Sequence, residues 1–270
     1  MCVEIVCCTD PGQVREHNED YLASDESLGL AVLADGMGGY QAGEVASEIA
    51  VKTIMEQLYV PPKTLPRVKR PANHSYHSTT VLLEQAVLKA NQVIYEAAEQ
   101  QSHYRGMGTT IVAAWFHNDF MSVAHVGDSR LYRLRGNEFR PITKDHSVNQ
   151  ELIDCGIYTP EQAKFSPNKN LVTRALGVGK KVNVEIQEYS ILADDIYLLC
   201  SDGLNDMLDD DDMYTILNGS KNSLEKAAKL LIKAANDKGG EDNISLILAR
   251  PRPPVSPKPP TNWFKRLFKW

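Results

Sequence analysis

No stretch of this 270-residue sequence approaches the roughly 20 consecutive apolar residues of a membrane-spanning helix. Residues Met1 to Asp10 are too short and too lightly flanked for a signal peptide, so a cytoplasmic protein is expected. Basic charge is also short: 29 Lys and Arg stand against 35 Asp and Glu, for a net charge of −6. The positive excess that neutralises nucleic-acid phosphates is missing, and nucleic acid is not an expected partner. Cysteine is sparse, with five residues at positions 2, 7, 8, 155 and 200 and no CxxC spacing. That excludes the usual zinc and disulfide frameworks, and inside apolar runs a reduced cysteine acts as a small hydrophobe.

What is present is a soluble, globular mixture, 43% hydrophobic and 24% charged. The length suits one large domain with a substantial core. Short β-rich apolar runs bounded by turn residues predict strands at 2–9, 28–35, 109–117, 120–128, 129–135, 182–191, 196–201 and 243–250. Apolar residues at three and four spacing predict helices at 42–59, 79–101 and 223–237. Strand runs follow one another through tight junctions such as His117-Asn118-Asp119 and Gly136-Asn137. Hairpins of that kind imply antiparallel sheets with helices outside them, an α+β layered domain.

Two segments stand apart. Pro61 to His77 holds four prolines with Lys63, Arg67, Lys69 and Arg70, and reads as an exposed basic loop or a docking site. Composition changes again at Pro251, giving a domain over 1–250, a Pro-rich linker over 251–261 and a basic, aromatic tail over 262–270. The linker suits an extended polyproline spacer. As a helix, the tail would set Trp263, Phe264, Leu267, Phe268 and Trp270 against Lys265, Arg266 and Lys269, which suits weak contact with an anionic membrane surface or a partner's groove. A tail folded back on the domain is the alternative, because isolated helices this short are marginal.

The chemistry is concentrated where strands end. Asp35-Gly36, Gly127-Asp128 and Asp202-Gly203 each follow a predicted strand, and Glu241-Asp242-Asn243 precedes one. Each piece alone reads as a turn. Converged, carboxylates without His or Cys would select a hard cation such as Mg²⁺ or Mn²⁺.

The chain resembles the metal-dependent serine/threonine phosphatases of the protein phosphatase 2C type, in particular their bacterial branch. The matching segments run in order: Thr9 to Asp20, Asp35-Gly36-Met37-Gly38-Gly39 with Gly43 to Ser47, Gly106 to Thr110, and His125 to Arg130. They continue with Thr143 to Ser147, Ser201 to Leu204, and Gly240 to Ser245. The resemblance implies two antiparallel sheets packed face to face with helices on both outer sides. It also implies hydrolysis of phosphoserine and phosphothreonine in proteins by a metal-activated water.

In that likeness Asp35 bridges two metal ions, served on one side by the Gly36 carbonyl and a water held by Glu19, and on the other by Asp202 and Asp242. Asp128 with Asp202 would hold a third, weaker ion, Asp20 would support the ligands from behind, and Arg15 would grip the phosphate. A guanidinium suits that task because it binds two oxygens at once. Residues 147–181 fall where bacterial relatives carry a mobile flap. Met37 stands where animal relatives have His, and Tyr40 where many bacterial ones do, so tyrosine and a metal-held water are the alternatives for protonating the leaving alkoxide. Phosphorylated proteins would be substrates and a Ser/Thr kinase the opposing enzyme. The competing reading, a catalytically inactive phosphoprotein-binding scaffold localised by its tail, calls for lost acidic ligands, and none is lost.

Overall fold

The structure is a computed structural model and describes residues 2–39, 42–59, 76–163, 166–168 and 170–252. In chain order it contains β1 (Cys2–Asp10), β2 (Asp20–Asp25), β3 (Leu30–Met37), α1 (Ala42–Leu58), α2 (Ser78–Gln100), β4 (Gly108–Thr109), β5 (Ile111–Phe116) and β6 (Phe120–Val126). There follow β7 (Arg130–Arg135), β8 (Glu138–Pro141), α3 (Val148–Asp154), α4 (Pro160–Ala163), β9 (Glu185–Ser190), β10 (Ile196–Cys200), α5 (Asp202–Asn205), α6 (Asp210–Gly219), α7 (Leu224–Asp237) and β11 (Ile244–Arg252).

Two antiparallel sheets form, in the orders β1-β11-β10-β7-β8 and β2-β3-β5-β6-β9, with β4 added to β3. Alternation along the strands builds the layers. Leu30, Val32 and Ala34 of β3 pack with α1 and α2, whereas Ala31 and Leu33 join Leu131, Tyr197, Leu199 and Ile247 between the sheets. On the far side Leu246 and Leu248 of β11 meet Leu224, Ala228 and Leu231 of α7. The result is helices, sheet, sheet, helices, the layered α+β arrangement expected.

Several boundaries differ from the sequence reading. The unpredicted strands β2 and β8 both lie at sheet edges; they carry few apolar residues, and their extended form comes from the partner strand. Helix α6 was also unmarked by apolar spacing; it is announced by a capping box in which Asp209 and Asp212 exchange side-chain bonds with backbone N–H groups. Strands β6 and β7, consecutive in sequence, belong to different sheets, and the chain crosses between them at Gly127. Its φ of +105°, with Thr110 Cγ2 only 2.6 Å from where a Cβ would stand, admits glycine alone without strain. Strand β11 continues through Pro251 and Arg252, which pair with Val3 and Cys2, so it enters the stretch read as linker by two residues. The rest of the linker and the tail lie outside the described residues, as do Tyr40 and residues 60–75 of the basic loop.

Candidate metal centre

Antiparallel register gathers the strand ends. Asp20, which opens β2, faces Asp35 near the end of β3. Asp10 at the end of β1 faces Ile244, and Cys200 at the end of β10 lies between Leu246 and Arg130. Asp242 just before β11, Asp202 just after β10, and Asp128 just before β7 therefore arrive at the same end of the sandwich as Asp20 and Asp35.

The carboxyl groups register one another. Asp35 is raised well above the ordinary carboxylate range by burial and by the charges of Asp20, Asp202, Asp128 and Asp242. Asp20 is pushed to about 7 by burial, with Asp202 and Asp242 adding to it. Asp128 is raised to about 8 by burial and then by Asp202 and Asp145. Asp202 is raised to about 6 by burial, Asp206 and Asp242, and hydrogen-bonds Asp35. Asp35 and Asp202 keep part of their surface open to solvent although protein surrounds them.

Asp20 accepts the Ser201 hydroxyl at Oδ2 (2.8 Å), while its buried Oδ1 has no hydrogen-bond partner. The Ser245 hydroxyl, 2.7 Å from Thr9 Oγ1, also stands near enough to Asp20 to draw its carboxyl downward. An orphaned carboxylate oxygen in a nest of carboxylates, with oxygen donors only, is the chemistry that hard divalent cations satisfy.

Glu19 and Arg15 stand at the rim. Arg15 Nη2 donates to Asp242 Oδ2 at 2.7 Å, and the arginine side chain remains 52% exposed. Glu19 is shifted upward by burial, against the lowering influence of Arg15. The Glu19 backbone is held at both ends: its N–H donates to Asn243 Oδ1 (2.8 Å), and its carbonyl accepts from Gly36 N–H (3.1 Å) and the Ser47 hydroxyl (2.6 Å). A Cβ on Gly36 would fall 2.1 Å from the Gly43 carbonyl, so the first turn of α1 closes directly over this backbone.

All eight residues singled out from the sequence, Arg15, Glu19, Asp20, Asp35, Gly36, Asp128, Asp202 and Asp242, lie at this end. Sequence reasoning gave no role to the residues that fix them. Asn243 donates to the carbonyls of Pro11 (3.0 Å) and His17 (2.8 Å), tying the 11–19 loop to β11. Thr110 donates its N–H to Asp35 O (2.8 Å) and accepts Asp35 N–H at Oγ1 (3.1 Å), while Thr109 Oγ1 also donates to Asp35 O (2.8 Å). Asn243 directly follows Asp242, but Thr109 and Thr110 have no acidic neighbour in sequence, and no local signal marked the bonds these residues make.

Beside this centre, the 147–181 segment is pinned by isolated pairings of Ser147 with Val172 and Thr109 with Leu176. Val178 Cγ2 would lie 2.9 Å from a Cβ on Gly108. No helix among the described residues is long and apolar enough to cross a membrane.

Comparison with known proteins gives one answer. The family model described as Protein phosphatase 2C matches residues 12–237. Serine/threonine phosphatase stp of Listeria welshimeri is 38% identical over 252 residues, spanning 89% of this chain and 92% of that protein. Protein phosphatase PhpP of Streptococcus pneumoniae is 33% identical over 249 residues, spanning 91% and 96%. Among solved structures, the Mycobacterium tuberculosis serine/threonine phosphatase PstP/Ppp superposes with a TM-score of 0.84 at 33% identity, covering 94% of this chain and 100% of its own. The catalytic domain of PstP in complex with two manganese ions gives 0.79 at 34% identity, covering 92% and 98%.

Proposed function

The chain belongs to the protein phosphatase 2C family as a bacterial serine/threonine protein phosphatase dependent on divalent metal ions, and from that premise we propose which of its residues carry the reaction. Asp35, Asp202, Asp242, the Gly36 carbonyl and a water held by Glu19 would hold two Mn²⁺ or Mg²⁺ ions, and Asp128 with Asp202 a third. When bound, such ions offset the carboxylate charge, polarise phosphoryl oxygens and make water a nucleophile near neutral pH.

The chain's own contribution is placement. Asp20, fixed by Ser201, presses its charge on Asp35 from behind and keeps the cluster anionic enough to retain cations. Arg15, anchored to Asp242 at the open rim, is free to turn two N–H groups toward a phosphate. Cys200 is no competing nucleophile, since burial pushes its thiol up to about 12. The single observation that carries this reading is the gathering of Asp20, Asp128, Asp202 and Asp242 about the buried carboxyl of Asp35, on which all four charges act.

Phosphoserine- and phosphothreonine-bearing proteins are the substrates, and we assign the chain to opposing a Ser/Thr kinase. Its basic, aromatic tail, from Trp263 to Trp270, supports weak attachment to an anionic membrane surface. Sedimentation with anionic liposomes of the full chain against one ending at Arg252 tests the attachment, and equal partitioning rejects it. For the site, hydrolysis of a phosphothreonine peptide is measured with Mn²⁺, with chelator and in Asp202→Ala. Turnover that needs Mn²⁺ and collapses in the variant supports the assignment; Mn²⁺-dependent turnover that survives Asp202→Ala overturns it.

A further inference from the structure

Outside the acidic cluster, among the described residues, His125, His146 and Glu185 bring their ligand atoms within 4.8 Å of one another. The spacing suits a metal ion, but the hydrogen bonds do not. Gly127 N–H donates to His146 Nδ1 at 3.1 Å, so the proton of neutral His146 sits on Nε2, which faces Glu185 Oε2 at 3.3 Å. Both ring nitrogens are thereby committed. The Arg174 guanidinium also stands 3.2 Å from Nε2, placing a positive charge where a cation would go. His125 is fixed as well, donating from Nε2 to Lys144 O (2.9 Å) and stacking on His146 at 4.6 Å.

What the cluster does instead follows from what His146 joins. Its N–H donates to Gly127 O (2.9 Å), reciprocating the bond that its ring accepts. Its carbonyl accepts Thr173 N–H (2.7 Å), next to Val148 N–H donating to Leu171 O (2.9 Å), so the outgoing and returning arms of the 147–181 segment meet on it. One residue earlier, Asp145 takes Arg130 in a forked pair of 2.7 to 3.1 Å. The turn Gly127-Asp128-Ser129-Arg130 is therefore clamped on both sides of Asp128 by two adjacent residues at the base of that segment.

We propose that His146 is a positioning residue that locks the base of the 147–181 segment to the turn carrying Asp128, so that segment and carboxylate move as one unit. The consequence for metal retention rests on the reading of Asp128 as a ligand. The bond that matters is the one at Nδ1: a buried N–H left without its acceptor loosens the turn, and outer-shell changes of this kind commonly weaken metal binding by about 10- to 100-fold.

Two near-isosteres separate the contacts. Asparagine places an amide oxygen where Nδ1 stands, and glutamine reaches instead toward the Nε2 position. In the full chain, His146→Gln is expected to speed amide exchange about tenfold in both 127–130 and 147–181, and to weaken the most weakly held Mn²⁺ about tenfold by electron paramagnetic resonance titration; His146→Asn is expected to stay near wild type in both. In the wild-type chain, needing no variant to fold, the amides of Gly127, Val148 and Thr173 are expected to open with one denaturant dependence. Opening of Val148 and Thr173 while Gly127 stays closed overturns the lock, as does equal behaviour of the Asn and Gln variants. Asp128→Asn separates the two readings: unchanged Mn²⁺ titration there removes Asp128 as a ligand, while the exchange results still decide the role of His146.

Discussion

Asp20 and Asp35 face each other across β2 and β3, two carboxylates at directly opposed positions of one antiparallel pair. In an ordinary sheet that arrangement is destabilising. Here it is imposed by the register that buries Leu30, Val32 and Ala34 against the helices and Ala31 and Leu33 against the other sheet; a slip of one residue would reverse both faces. The fold thus forces like charges together at one place, and the stability of the metal-free protein must carry the cost.

That cost fixes the pH dependence. Asp202, Asp20 and Asp128 are raised to about 6, about 7 and about 8, against an ordinary value of 3.8. Between those limits the folded state holds protons that the unfolded chain has released, so the contribution is fully present below about pH 4 and is lost as pH rises through 6 to 8. Chelated protein is expected to melt at a lower temperature at about pH 8 than at about pH 6, and saturating Mn²⁺ to remove or reverse the difference. Thermal melts under the four conditions check this.

Asp20→Asn keeps an acceptor for Ser201 and removes one charge from the cluster. The chelated variant is expected to be more stable than wild type at about pH 8 by about 1 kcal/mol or more, while its metal affinity falls. Paired denaturation and Mn²⁺ titration read the two effects; a loss of stability in chelator would count against burial, with repulsion added to it, as what opposes the Asp20 charge.

Arg15→Lys keeps the charge and loses the fork. Because the Arg15–Asp242 pair is largely exposed, stability is expected to change by no more than about 0.5 kcal/mol. Loss of a charge-assisted bond to phosphate should lower kcat/KM by roughly 10- to 150-fold, the equivalent of about 1.5–3 kcal/mol. Steady-state kinetics beside a urea melt distinguishes this from general damage.

Gly127→Ala places a methyl group 2.6 Å from Thr110 Cγ2 at a φ of +105°. The backbone alone should cost about 1–3 kcal/mol, and the contact presses on Thr110, which holds Asp35 by two bonds. Reduced stability together with weakened metal binding is expected, measured by calorimetry and titration.

The strands that run into Asp35 and Asp202 were legible because they are buried on both faces and read as unbroken apolar runs, Leu30 to Ala34 and Ile196 to Cys200. The acidic residues themselves stood out as the first charges after those runs. Edge strands β2 and β8 were not legible, since pairing rather than composition makes them extended. The roles of Asn243, Thr110 and His146 were hidden for a similar reason. Each acts on a residue far away in sequence, as Asn243 does on Glu19 and His146 on Gly127, and no local pattern announces a bond of that kind.

The nine-residue pairing of β1 with β11 joins the beginning of the described chain to its end. During synthesis β1 must wait, without its neighbour, until more than 240 residues have emerged, and β10 lacks the same strand on one side. Asp242 and Asn243 are made in the same late stretch, so assembly of this sheet and completion of the acidic cluster become a single event. A nascent or prematurely terminated chain that stops short of β11 therefore leaves β1 without its partner strand and β10 open on one side.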